Sequence, residues 1–180
     1  MIKLSEILKG WKDYGGGTEH QIFTSDKNPN VIYKVGKKDT VLKWSEVFKS
    51  NPKIFPKVYK VGKLKDGRYY AEIEKLNTDK VVKDWGDLEQ ALELIGVVDT
   101  DVFEDTIDQA FINILSGHLD VGKVYTDLAS NKKIQALFKK WIEFLSDATE
   151  YVENSGYNGL DIHRYNFAYD AKGNPKVIDI

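Results

Sequence analysis

The spacing of hydrophobic positions along this chain changes near residue 77. Before that point, short runs rich in β-branched and aromatic residues alternate with turn residues. QIFTS at 21–25 and VIYKV at 31–35 are separated by an Asn/Pro-containing turn, and this pattern predicts two strands. A second pair of runs, at 57–64 and 69–76, flanks an Asp-Gly turn and predicts another hairpin.

Segments with apolar residues three and four positions apart predict helices. One such segment, residues 40–50, lies between the two hairpins and begins at a candidate capping residue, Thr40. A short leading helix is predicted over 2–10, before the three glycines at 15–17. Beyond residue 77 the same spacing predicts helices over 86–96, 102–115 and 132–154, followed by a hairpin over 166–180.

Strands in the first part and helices in the second predict an α+β fold class. The chain has 180 residues, of which 42% are hydrophobic and 12% aromatic, as expected for a globular protein with one sizeable core or two small lobes. We place the boundary between two lobes after residue 77, giving segments 1–77 and 78–180.

Charge and composition exclude several classes of function. The 26 basic and 28 acidic residues nearly cancel, so no overall field would attract nucleic acid. The chain has no cysteine, and its three histidines are widely separated, which argues against a zinc site or a cysteine nucleophile. The N-terminus lacks the apolar stretch of a secretory signal, and no run approaches the roughly 20 apolar residues of a membrane span. We therefore expect a cytoplasmic protein without a membrane segment.

Oxygen-bearing side chains near the end of the chain have an informative spacing. Asp161 is followed by Asn166 five residues later and by Asp179 thirteen residues further on, with a predicted turn between the last two. Carboxylate and amide oxygens are the ligands that Mg²⁺ prefers. This spacing resembles the catalytic loop and metal strand of the protein-kinase-like superfamily. The Asp-x-His-x-x-Asn form, DIHRYN at 161–166, is similar to that of the aminoglycoside phosphotransferases.

The resemblance implies an ATP- and Mg²⁺-dependent site. It makes Asp161 the catalytic base, with Asn166 and Asp179 as metal ligands. It also implies that Lys34 holds the α- and β-phosphates and that Glu46, in the following helix, is its ion-pair partner. On spacing alone, however, the pattern favours a surface lysine on a half-buried strand for Lys34, and a solvated helix residue remains the alternative for Glu46.

Two further segments are similar to nucleotide-binding parts of the same superfamily. The first is the glycine loop of Gly15, Gly16 and Gly17, although His20 replaces the third glycine of the usual motif. Its sequence, GGGTEH followed by a predicted strand, resembles kinase-like modules in polyvalent proteins of bacteriophages and mobile elements. The second is the strand-to-hinge segment, in which the resemblance implies that backbone groups of Glu74, Lys75 and Leu76 pair with the adenine edge.

The fold that the resemblance implies is a small antiparallel-sheet N-lobe followed by a truncated helical C-lobe. Two departures from the family pattern stand out. Gly159 occupies the position of the histidine that braces the catalytic loop in most kinases. In addition, this sequence stops at Ile180, directly after the proposed metal aspartate, before an activation segment.

These departures leave two hypotheses. The first is a kinase-like nucleotide-binding protein, such as a phage or mobile-element pseudokinase or interaction module with a protein partner, in the host cytoplasm or in a virion. The second is an active, minimal ATP-dependent phosphotransferase that acts on a protein or small-molecule hydroxyl. Both require nucleotide binding, and the sequence decides neither the phosphoryl acceptor nor the oligomeric state.

Overall fold

The structure, a computed structural model, describes residues 11–15, 20–25, 28–99, 106–156 and 159–179. It is an α+β fold and divides into two compact units, Met1–Leu76 and Asn77–Ile180. The boundary predicted from the sequence, after residue 77, lies one residue from this division. The helix predicted over 2–10 lies outside the described residues.

The first unit is built on a five-stranded antiparallel sheet in the order β1-β2-β3-β5-β4. Both predicted hairpins are present, and an additional strand ends at the first of the three glycines. Its strands are β1 (Trp11–Gly15), β2 (His20–Ser25), β3 (Val31–Gly36), β4 (Val58–Lys63) and β5 (Tyr69–Glu74). The sheet puts β3 in its centre, between β2 and β5.

Helix α1 (Lys38–Ser50) follows β3 and buries one face in the first unit. Its buried residues include Trp44 and Phe48, whose rings lie 5.0 Å apart, and Phe48 stacks on Phe55 at 4.9 Å. The prediction that Thr40 caps this helix is wrong. The Lys37 carbonyl already accepts the first helical hydrogen bond, from the Val41 amide at 3.0 Å, so the helix begins before Thr40.

The second unit is mainly helical. Two short 3₁₀ turns, Leu128–Ser130 and Arg164–Asn166, adjoin the regular elements. Those elements are α2 (Asp79–Leu94), α3 (Ile107–Leu115), α4 (Val121–Asp127), α5 (Lys132–Asn154), β6 (Phe167–Tyr169) and β7 (Pro175–Val177).

Three of these helices differ from the prediction. Helix α3 begins at Ile107 after an extended capping residue, Thr106, rather than at residue 102, and residues 102–105 lie outside the described ranges. Helix α2 starts seven residues before the predicted residue 86, because Val81 and Trp85 extend its buried stripe toward the N-terminus. Helix α4 was not predicted. It is a short helix with one buried residue, Val124, and its start is stabilised by the Asp120 carboxylate, which accepts hydrogen bonds from two amides. A single buried position leaves no periodic signal in the sequence.

An aromatic cluster forms the core of the second unit. Trp85 from α2 and Trp141 from α5 meet edge to face, with ring centroids 5.2 Å apart. Phe167, the first residue of β6, contacts both rings, at 5.4 and 5.7 Å. All three side chains are fully buried. The residue directly after the 3₁₀ turn is therefore anchored in the core, and this anchor fixes the end of the loop that precedes it.

Among the helices of the described ranges, none combines the length and the apolar character that a membrane span requires.

Candidate functional site

Residues 161–166, which we call the DIHRYN loop, bring Asp161 and Asn166 into direct contact. The Asn166 side-chain amide donates to the Asp161 carboxylate at 2.8 Å and to the Asp161 carbonyl at 3.2 Å. Two backbone bonds, from His163 to Asp161 and from Asn166 to His163, curl the loop at 3.0 and 2.8 Å. The amide oxygen of Asn166 is left facing away from these bonds, while Asp161 is exposed to solvent.

The β6-β7 hairpin then returns the chain to this loop. Phe167 pairs with Val177, and beyond that pair the Ile178 amide donates to the Asn166 carbonyl at 2.8 Å. Asp179 is the next residue and is exposed. The hairpin therefore brings the segment that carries Asp179 back to Asn166, although the two residues are thirteen positions apart.

A carboxylate organises the turn of this hairpin. Asp170 accepts hydrogen bonds from the Lys172 amide at 2.9 Å and from the backbone and side-chain amides of Asn174 at 2.8 and 2.9 Å. Partial burial opposes ionisation, but these hydrogen bonds and the nearby Lys176 ammonium together lower the pKa of Asp170. Asp170 is thus committed to the turn, which leaves Asp179 as the exposed acid of the hairpin.

The sequence predicts that oxygen atoms of Asn166 and Asp179, at this end of the second unit, bind magnesium. No cluster of three or more His, Asp or Glu side chains that could hold a metal occurs within the described ranges. Magnesium does not need such a cage, since it keeps several waters and takes one or two carboxylates together with substrate phosphates. The Asn166 amide oxygen and the Asp179 carboxylate are hard ligands of this kind, and both belong to segments joined by a backbone hydrogen bond.

One ion pair and one histidine–carboxylate contact tie the DIHRYN loop to the helices of the second unit. Arg164 donates to both carboxylate oxygens of Glu89 on α2, at 3.1 and 3.2 Å, with about a fifth of each side chain exposed. His163 lies 3.8 Å from the Asp108 carboxylate in the first turn of α3. Neither acid was singled out from the sequence, because each is far from its partner along the chain and no local motif marks it.

Asp108 is in a less favourable environment than an exposed acid. One of its carboxylate oxygens is buried without a hydrogen-bond partner in the described part of the chain. Burial raises the pKa of Asp108, and the neighbouring carboxylates of Glu89 and Asp161 add to this effect, against the opposing charges of Arg164 and His163. Asp108 is thus half-buried, although it ends a stretch of sequence, 99–108, that is rich in acidic residues.

Lys34 lies in the first unit, in the central strand β3, and its side chain is buried. Its ammonium group sits 5.2 Å from the centre of the Trp44 ring of α1, a cation–π arrangement. Glu46, two residues further along α1, is on the exposed side of that helix. The ion pairs found between described residues do not include one from Lys34 to Glu46.

The predicted hinge segment uses two of its three amides within the first unit. The Glu74 amide donates to the Lys57 carbonyl and the Lys75 amide donates to the Asn30 carbonyl, each at 2.9 Å. The Leu76 amide makes no hydrogen bond to any residue that the structure describes. Of the three amides in this segment, that of Leu76 is therefore the one available as a donor. Of the glycine loop, Gly15 ends β1, whereas Gly16 and Gly17 lie outside the described residues.

Neither the known protein-family models nor the curated protein sequences give a match to this chain.

Proposed function

We propose that this chain is a kinase-like nucleotide-binding protein that retains residues for ATP and Mg²⁺, and that it acts as a pseudokinase or interaction module. The observation that carries the proposal is the 2.8 Å hydrogen bond from the Asn166 amide to the Asp161 carboxylate. It orients the amide oxygen of Asn166 away from Asp161, as a metal ligand requires. The hydrogen bond from Ile178 to Asn166 supports the same reading, since it brings the chain back next to Asp179.

The chain has a candidate group for the phosphates, for the magnesium ion and for the adenine ring of ATP. Lys34 is a buried lysine on the third strand, the position from which the kinase lysine contacts phosphates. Asn166 and Asp179 would hold magnesium, which neutralises phosphate charge when it is bound. The Leu76 amide would donate to the adenine edge. Because the Glu74 and Lys75 amides are already used, adenine recognition by amides in this segment rests on Leu76.

A second candidate function is an active phosphotransferase that acts on a hydroxyl. The exposure and hydrogen bonding of the Asp161 carboxylate favour it. Its carboxylate is exposed, and it accepts from Asn166 through one oxygen. The other oxygen can accept a proton from an acceptor hydroxyl, which is the task of a kinase catalytic base. Both candidates require nucleotide binding, and they differ only in whether a phosphoryl group is transferred.

Nucleotide binding is tested by thermal unfolding with ATP, with and without Mg²⁺. A ligand present at about 100 times its Kd stabilises the folded state by about 2.7 kcal/mol, which is a shift of several degrees. We expect this shift to need Mg²⁺ and to be lost in Asp179→Asn and Lys34→Met. Matched controls are Asp147→Asn on α5 and Lys37→Met, which change exposed residues. Equal shifts in all variants, or none in the wild type, would rule out the proposed site.

Phosphoryl transfer is then tested with γ-labelled ATP. The pseudokinase reading predicts that neither the wild type nor Asp161→Ala releases or transfers label above background. Label transfer by the wild type that is abolished in Asp161→Ala would instead establish the phosphotransferase.

A further inference from the structure

The DIHRYN loop lacks the support that regular structure gives to a side chain. Residues 159–163 belong to no helix or strand, and the only regular piece of the loop is the single 3₁₀ turn Arg164–Asn166. The hydrogen bonds between Asp161, His163 and Asn166 stay inside the loop, so they set its shape but not its place in the unit. Gly159, just before the loop, has a φ of 119°, a conformation that only glycine adopts easily.

Glu89 supplies an anchor from outside the loop. Its carboxylate accepts from Arg164 at 3.1 and 3.2 Å and also from the Ile107 amide at the start of α3, at 3.3 Å. One carboxylate therefore connects α2, α3 and the loop, through a partner 75 residues away in sequence. The pair is about four-fifths buried, where a charge-assisted hydrogen bond is stronger and less screened than at the surface.

The anchored residue is close to the proposed chemistry. Arg164 lies two residues before Asn166 and three after Asp161, within the DIHRYN loop. A shift of Arg164 would move the peptide units that connect these two residues. Small displacements of a metal ligand or base have large effects on binding and reaction. The other end of the turn is already held, since Phe167 is buried in the aromatic core.

We propose that Glu89 is a positioning residue that fixes the DIHRYN loop through Arg164, in a chain where Gly159 removes the usual histidine brace. The geometric part of this inference stands on the contacts alone, whereas its consequence for magnesium rests on the proposed function. Glu89 touches neither substrate nor metal in this proposal. It acts by holding Arg164 and, through it, Asp161 and Asn166.

Hydrogen exchange tests the geometric part without any ligand. In Glu89→Gln we expect the amides of residues 161–166 to exchange about tenfold faster or more, while those in the middle of α5 keep their wild-type rates. The matched control is Asp87→Asn on the same helix, whose carboxylate pairs with the exposed Lys83 at 2.6 Å. Unchanged exchange in the loop of Glu89→Gln, or the same acceleration in Asp87→Asn, would overturn the inference.

The Mg²⁺ concentration that gives half of the ATP-dependent thermal shift tests the consequence. We expect it to rise about tenfold in Glu89→Gln and to change less than about twofold in Asp87→Asn. Arg164→Gln and the double variant should match Glu89→Gln, because the effect passes through one pair. A lower melting temperature with an unchanged Mg²⁺ requirement would show that Glu89 is only structural. A wild type without any ATP response refutes the proposed function instead, and the exchange data still decide the role of Glu89.

Discussion

Phe167 is the point where the aromatic core of the second unit meets the DIHRYN loop, and Phe167→Leu tests that connection. The ring is fully buried and contacts Trp85, Trp141 and Phe144 at centroid distances of 5.4, 5.7 and 6.2 Å. Leucine keeps the site apolar but removes all three ring contacts. The substitution therefore separates aromatic packing from simple burial.

The expected loss of stability follows from these contacts. An aromatic pair contributes about 0.5–1.5 kcal/mol beyond its buried area, so three pairs contribute roughly 1.5–4.5 kcal/mol. The total must stay below the roughly 3–5 kcal/mol of a complete Phe→Ala truncation, because leucine refills most of the space. We expect Phe167→Leu to lower the free energy of unfolding by about 2–3 kcal/mol.

Urea unfolding followed by tryptophan fluorescence is the appropriate assay, since two of the contacting rings are tryptophans. Circular dichroism provides a second probe, because a chain with two compact units need not unfold in one step. The control is Phe144→Leu, which is partly buried and has two ring contacts, with Trp141 at 5.8 Å and with Phe167 at 6.2 Å. We expect it to lose about 1 kcal/mol. A loss for Phe167→Leu no larger than that of the control would refute the packing argument.

Three further substitutions have expected outcomes that stability measurements can check. Asn131→Ala should lower the free energy of unfolding by about 1 kcal/mol, because the Asn131 side chain caps α5 by accepting a hydrogen bond from the Ile134 amide at 3.3 Å. Asn131→Asp keeps an acceptor and should retain most of the wild-type stability. Gly62→Ala should cost about 1–3 kcal/mol, since the new methyl group would lie 2.6 Å from the buried Tyr70 ring, and no loss would mean that this ring moves freely. For Asp108→Asn the expectation depends on pH. Burial raises the pKa of Asp108, so the folded state binds a proton on this carboxyl group more tightly than the unfolded state does. The protonated group therefore stabilises the fold below the ordinary pKa of 3.8, and this stabilisation is lost as the pH rises through the raised pKa. Relative to the wild type, Asp108→Asn should therefore gain melting temperature as the pH rises from below 3.8 through the raised pKa, and a difference that stays constant with pH would contradict the assignment.

Local pattern was sufficient for several elements of the fold. The runs of β-branched and aromatic residues around the Asp-Gly turn predicted the β4-β5 hairpin, and the apolar spacing over 132–154 predicted α5 with the bounds that the structure has. These features depend on neighbours within a few positions, where sequence spacing determines which side chains share a face. The short α4, with one buried residue, carried no such pattern and was missed.

The same limit applies to the candidate site. Sequence spacing singled out Asp161, Asn166 and Asp179, and the roles of these residues stay predictions that the proposed experiments test. The hydrogen bond between Asp161 and Asn166 spans only five positions, a distance over which a tight turn brings side chains together. The residues outside the loop that hold it in place are distant from it in the sequence. Glu89 reaches Arg164 across 75 residues, and nothing near either residue in the sequence announces the other.

What the sequence determined by itself is thus local: the strands of the hairpins, the longest helix, and oxygen-bearing side chains placed on either side of a turn. Only the tertiary structure decided that Glu89 anchors the loop, that Asp108 is half-buried beside His163, and that Leu76 keeps the available amide of its segment. Long-range contacts arise when separate elements bury their apolar faces against one another. This packing decides which polar groups meet, and no short stretch of sequence contains the information about such distant contacts.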